Sequence, residues 1–103
     1  MIKSELQEIL NRINNLSSGS RENITEYTTL VKVAAEKLQT LQQEDKSPML
    51  DVWLGMGLQE IRHEIDQRLR IDFPNLSAEK LKTEFMYSKS TVTMSLTNIL
   101  MHL

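Results

Sequence analysis

Two histidines, a band of alternating charges and a pair of glycines are where chemistry would have to arise in this chain. His63 stands in "IRHEID", and a zinc-bearing helix would carry a second histidine four residues on, which is missing here. His63 and His102 are the only histidines. A solvated place on a helix surface accounts for His63. Glu60, Glu64 and Asp66 alternate with Arg62, Arg68 and Arg70. Mixed charge of this kind describes a wet, salt-bridged face, not two carboxylates whose pKa values have been driven apart for acid–base work.

The "GMG" at 55–57 lacks the preceding strand, the third glycine and the lysine of a phosphate-binding loop. No serine, threonine or lysine has a recognisable activating neighbour. The absence of cysteine removes thiolate metal sites, disulfides and a thiol nucleophile. The expectation is therefore a protein that is not an enzyme, with no catalytic residue, no metal site and no cofactor.

A chain of 103 residues is one domain, here taken as 1–103, with room for a single core. Aromatic residues, glycine and proline are all scarce, which favours helices over a sandwich or barrel. Residues 1–52 carry 6 basic and 8 acidic groups and residues 53–103 carry 6 of each, so neither half is basic enough to expect nucleic acid. The start, "MIKSELQEIL", is amphipathic rather than the apolar core of a secretory signal, and no run of about 18 apolar residues could span a bilayer. A cytoplasmic location follows as the expectation.

Four amphipathic segments account for the chain. Ser4 and Gln7 have capping-box spacing ahead of a stripe of Leu6, Ile9, Leu10, Ile13 and Leu16, and Gly19 in "SSGS" is placed to close that helix in the left-handed conformation. Asn23 with Glu26, or Ser20 a turn earlier, starts a second stripe of Tyr27, Leu30, Val31, Ala34, Leu38 and Leu41, which fades into the polar link "QQEDK". Ser47 before Pro48 opens a third, with Leu50, Leu54, Leu58, Ile61, Ile65 and Leu69 inward and Arg68 and Arg70 opposing the helix dipole. At "IDFPN", Pro74 pushes Phe73 towards an extended conformation.

Ser77 caps the last segment and Leu76 can staple onto Leu81, with Leu81, Phe85, Ser88, Val92, Leu96, Ile99 and Leu103 following at helical steps. Its "STVTMSLT" is rich in β-branched residues and could be read as strand, but the flanking period is helical. Short links between amphipathic helices predict an all-α fold, an antiparallel four-helix bundle with up-down-up-down topology.

Gly55 and Gly57, beside the only tryptophan, Trp53, would cost the third helix roughly 1 kcal/mol each relative to alanine. Close packing at both glycines would offset that, the alternative being a kink or local opening that exposes Trp53 to a partner; with close packing, Gly55→Leu is expected to overfill the contact. From Ser90 to Leu103 there is no formally charged side chain. Met94 and Met101 fall off the main stripe there, as contacts for a protein partner or the membrane surface.

The residues "LRIDFPNLSAEKLKTEF", with Leu69, Arg70, Ile71, Phe73 and Pro74 running into Leu81, resemble the immunity proteins of pediocin-like bacteriocins, of the enterocin A immunity type. That resemblance implies a cytosolic four-helix bundle which protects the producing cell without chemistry. It would do so by binding at the inner side of the mannose phosphotransferase permease once the bacteriocin engages it, as a monomer with peripheral contact at the inner membrane face. Carried over, the partner-binding residues are Arg70, Asp72, Phe73, Lys80 and Lys82, together with Met94 and Met101. "WLG" at 53–55 also resembles the tryptophan-x-glycine motif of the small WXG100 secretion substrates, which implies the alternative of a secretion partner or adaptor pairing with a second helical protein.

Overall fold

The computed structural model describes residues 2–17, 19–44 and 47–103. Ser18 of "SSGS" and Asp45 and Lys46 of "QQEDK" lie outside the described residues. The protein is an all-α four-helix bundle: α1 (Ile2–Asn15), α2 (Arg21–Glu44), α3 (Pro48–His63) and α4 (Ala78–Met101). Each helix packs on its sequence neighbours and α4 closes on α1, as an up-down-up-down topology requires. No helix among the described residues is long and apolar enough to cross a membrane.

The expected stripes meet in one continuous core. Leu6, Ile9, Leu10, Ile13 and Leu16 are all buried, opposite Tyr27, Leu30, Val31, Ala34 and Leu38, with Ile24 added and Leu41 at the margin. Tyr27 meets Phe85 edge-on, the ring centres 5.2 Å apart. The "STVTMSLT" stretch is helical throughout, and Val92, Ser95 and Leu96 are buried within it. Burial of that face outweighs the weak strand preference of the β-branched residues.

The ends of the helices are held differently from the expectation. α1 already begins at Ile2, so Ser4 and Gln7 sit inside it, and the Gln7 amide donates to Asn11 instead of capping. Ser20, rather than Asn23, caps α2, its hydroxyl accepting from the Asn23 N–H at 3.3 Å. Gly19 does not take the left-handed conformation, since no described residue has positive φ. It serves close approach: a Cβ there would lie 2.8 Å from the Lys82 Cα of α4. The C-terminal carbonyls of α1 are satisfied from another helix, with Lys89 Nζ donating to the carbonyls of Asn14 (3.2 Å) and Leu16 (2.8 Å).

The largest departure lies after α3. The helix does not stop but widens into a π-helical segment, Glu64–Asp72, and ends in one α-turn, Phe73–Asn75. In this register the Phe73 N–H donates to the Arg68 carbonyl, five residues back. A turn that takes more than four residues rotates the inward face relative to an α-helix. Glu64, only 5% exposed, therefore goes inward where Ile65 was expected, Ile65 is half-buried, and Phe73 follows Leu69 into the core.

Phe73 is accordingly helical and not extended, contrary to the influence expected of Pro74. Pro74 falls in the final turn, where few backbone bonds remain to be lost. Asn75 Nδ2 there donates to the Ile71 carbonyl at 2.7 Å. Arg68, expected to oppose the helix dipole, pairs with Glu64 at 2.9 Å and with Glu84 at 3.6 Å. Arg21, from the first turn of α2, donates instead to the carbonyls of Phe73 (3.3 Å) and Leu76 (3.1 Å).

Candidate binding surface

The residues singled out from the sequence fall into two separate places. Arg70 and Asp72 end the π-helical segment, and Lys80 and Lys82 stand in the first turns of α4, so these four gather around the link at 76–77. Arg70, Lys80 and Lys82 are exposed, whereas Asp72 is half-buried and accepts from Gln67 Nε2 at 3.2 Å. Phe73 is not part of this surface. It is 1% exposed because the π-helical register turns it into the core, so its role is packing and not partner contact.

Met94 and Met101 are 64% and 76% exposed, as their positions off the stripe implied. At about 1.5 Å per residue, Met101 lies roughly 30 Å along α4 from Lys80, so the methionines form a second surface at the other end.

A separate groove runs between α3 and α4, lined by Trp53, Met56, Gly57, Glu60, Ser95 and Asn98. Gly57 brings the two helices together: a Cβ on it would stand 2.5 Å from Ile99 Cδ1 and 3.2 Å from Cγ1. Gly55 faces open space, with nothing within 4 Å of where its Cβ would be. The expectation of close packing holds for Gly57 alone, and Gly55→Leu has nothing to overfill. Trp53 lies half-buried beside the contact with its ring stacked on His102, the centres 4.4 Å apart and the planes 22° from parallel. Met56, 55% exposed, forms part of the same wall.

Glu60 and Ser95 lie along the groove, with Ser95 Oγ donating to Glu60 Oε2 at 2.6 Å. The groove then opens past Gln59, His63, Glu64 and Thr91 into a depression of about 650 Å³. Ser95 is only 4% exposed, so its short bond to a carboxylate fixes Glu60 rather than presenting a nucleophile. Among the described residues no group of histidines and carboxylates is arranged to hold a metal ion. Neither Ser95 nor Met56 was singled out from the sequence. The three-residue step from Val92 to Ser95 was the available signal for the first.

Two polar pairs sit deeper. Tyr27 Oη and Ser88 Oγ share a buried hydrogen bond of 2.7 Å. Burial pushes the Tyr27 hydroxyl above the usual phenol range, the Ser88 bond works against that rise, and the nearby Glu64 adds to it. Glu64 is itself neutralised by Arg68. On the opposite side of the bundle, the depression between α1 and α2 is spanned by Lys37–Glu5 (3.0 Å) and Arg12–Glu26 (3.3 Å). The Lys37 ammonium, by hydrogen bond and charge, holds the Glu5 carboxyl below its usual value.

No family model matches the chain, and no curated protein and no solved structure matches it either.

Proposed function

We propose that this protein is a non-catalytic binding module that acts as a bacteriocin immunity protein. The observation that carries the reading is the uncharged second half of α4, which leaves Met94 and Met101 exposed. Apolar side chains of this size on a surface without lysine or arginine favour contact with a protein partner over an anionic lipid headgroup. The four-helix bundle is the fold that the resemblance implies.

In this reading the protein works as a monomer in the cytoplasm, in part at the inner membrane face. Arg70, Asp72, Lys80 and Lys82 meet the polar rim of the bacteriocin-engaged mannose phosphotransferase permease, and α4 supplies the apolar contact. Protection then comes from occupancy and blockade. The alternative of a WXG100-like secretion partner draws no support from Trp53 and Gly55, which lie inside α3 and not in a turn between helices.

The test is survival of a bacteriocin-sensitive strain expressing the chain, challenged with a panel of pediocin-like bacteriocins. Protection against one or a few is expected, and the double change Lys80→Glu with Lys82→Glu should reduce it at equal expression. Full killing across the panel, with the folded protein present in the cytoplasm, overturns the reading.

A further inference from the structure

We propose that the outward face of α4 is a docking site for a second copy of this chain, paired antiparallel about a two-fold axis. Every exposed residue from Thr83 to Met101 is uncharged. The other long faces differ: α1 shows Lys3, Glu8 and Arg12 to solvent, and α2 shows Glu22, Lys32 and Glu36. A two-fold contact through either of those would bury charge.

The face of α4 is built of two rows. Tyr87, Met94 and Met101, all strongly exposed, recur every seven residues. Thr83, Ser90 and Thr97, also exposed, form a second row with the same repeat, each four residues ahead of a member of the first. At about 100° per residue both rows stand opposite the buried Phe85, Val92, Leu96 and Ile99. A seven-residue repeat on one face is the seam along which helices pair. In an antiparallel pair the large row of each helix lies over the row of hydroxyls on the other. The register closes: with the axis level with Val92, Tyr87 meets Thr97 of the second copy, Met94 meets Ser90 and Met101 meets Thr83, and each contact occurs twice.

Large side chains thus fall on small ones over a length of about 27 Å. Lys80 and Lys82 come before the first residue of the seam, and Glu84 is turned towards Arg68. That one register satisfies all three pairs without opposing charges selects a second copy over an unrelated helix. One helix laid on one helix stands at the low end of specific interfaces, so the dimer is weak and reversible. Met94 and Met101 also serve the immunity reading, in which the dimer is a resting form that parts when another partner takes the same face. The inference rests on α4 alone and not on that reading.

The test is sedimentation of the purified full chain over a concentration series, without bacteriocin or cells, so its outcome is separate from that of the protection assay. The average mass should rise from one chain of 11.9 kDa towards two across the range of about 10–100 µM. Met94→Lys, which sets two like charges beside the axis, should raise the midpoint at least about 10-fold. Met49→Lys, at an exposed position of α3, should leave it unchanged. The chain has no cysteine, so introduced thiols report the register. Under mild oxidation a mixture of Tyr87→Cys and Thr97→Cys chains should form linked dimers. Either variant alone should form few, because its own two thiols lie about 15 Å apart along the helices. Circular dichroism of each variant establishes that it is folded.

The proposal is overturned if the chain stays single up to about 1 mM, if Met94→Lys associates like the parent protein, or if each cysteine variant links to itself as readily as to the other. A single chain that co-sediments with phosphatidylcholine vesicles overturns it in favour of a lipid surface.

Discussion

Gly55→Ala and Gly57→Ala form a matched pair that isolates the packing of α3 against α4. Both positions lie in the interior of the same helix, so each substitution gains about the same 0.5–1 kcal/mol from restricting the unfolded chain and improving helix propensity. At position 55 the new methyl enters open space and that gain is the whole effect. At position 57 it would stand 2.5 Å from Ile99 Cδ1, which must move although Ile99 is only 1% exposed. Overpacking a core contact in this way costs about 1–3 kcal/mol. The two variants should therefore differ in unfolding free energy by about 1–3 kcal/mol, with Gly55→Ala above the parent protein.

Since 1 kcal/mol moves Tm by about 4–8 °C in a domain near this size, the gap is measurable by thermal melts and by urea titration followed with circular dichroism. Ile99→Val removes the Cδ1 atom that the new methyl would strike. Combined with Gly57→Ala it should recover part of the loss, giving a favourable coupling above about 0.5 kcal/mol in the double-mutant cycle. Equal shifts for the two alanine variants, or strict additivity with Ile99→Val, would refute the assignment of Gly57 to a close helix contact.

Tyr27→Phe leaves Ser88 Oγ without its buried partner and should cost about 1 kcal/mol in urea unfolding. The folded-state pKa of Tyr27 is raised, so its contribution is fully present below the unfolded value of about 10 and is lost as pH rises beyond it. The parent protein should accordingly lose stability more steeply than Tyr27→Phe above pH ~10, and parallel alkaline profiles would count against that. Lys89→Met removes both hydrogen bonds to the end of α1 and should cost about 1–2 kcal/mol, with hydrogen exchange rising first at residues 13–16; uniform exchange would contradict the capping role. Arg68→Met strands the buried Glu64 carboxylate and should cost about 3 kcal/mol at neutral pH, with Glu64→Gln in the same background restoring part of it. A loss that Glu64→Gln fails to relieve would place the effect elsewhere.

The four helices and nearly all of their inward residues were legible in the sequence. Amphipathic periodicity is a local property, and a stripe such as Leu6, Ile9, Leu10, Ile13 and Leu16 has one way to leave water. Short links did the rest by forcing antiparallel neighbours. Ser77 as a cap was also legible, because its hydroxyl bonds an N–H three residues away. The cap of α1 by Lys89 and that of the π-helical end by Arg21 were not, since their partners lie more than 50 residues off along the chain.

Which of two similar glycines sits against a neighbour was equally invisible, because it depends on where Ile99 of another helix arrives. The π-helical turn is a tertiary outcome for the same reason. Nothing in "EIDQRLRID" announces it, yet it decides that Glu64 is inside, that Ile65 is partly outside, and that Phe73 belongs to the core and not to a binding surface. The groove follows suit. Trp53, Met56, Glu60 and Ser95 are separate marks in the sequence, and only the packing of α3 on α4 through Gly57 brings them to one place.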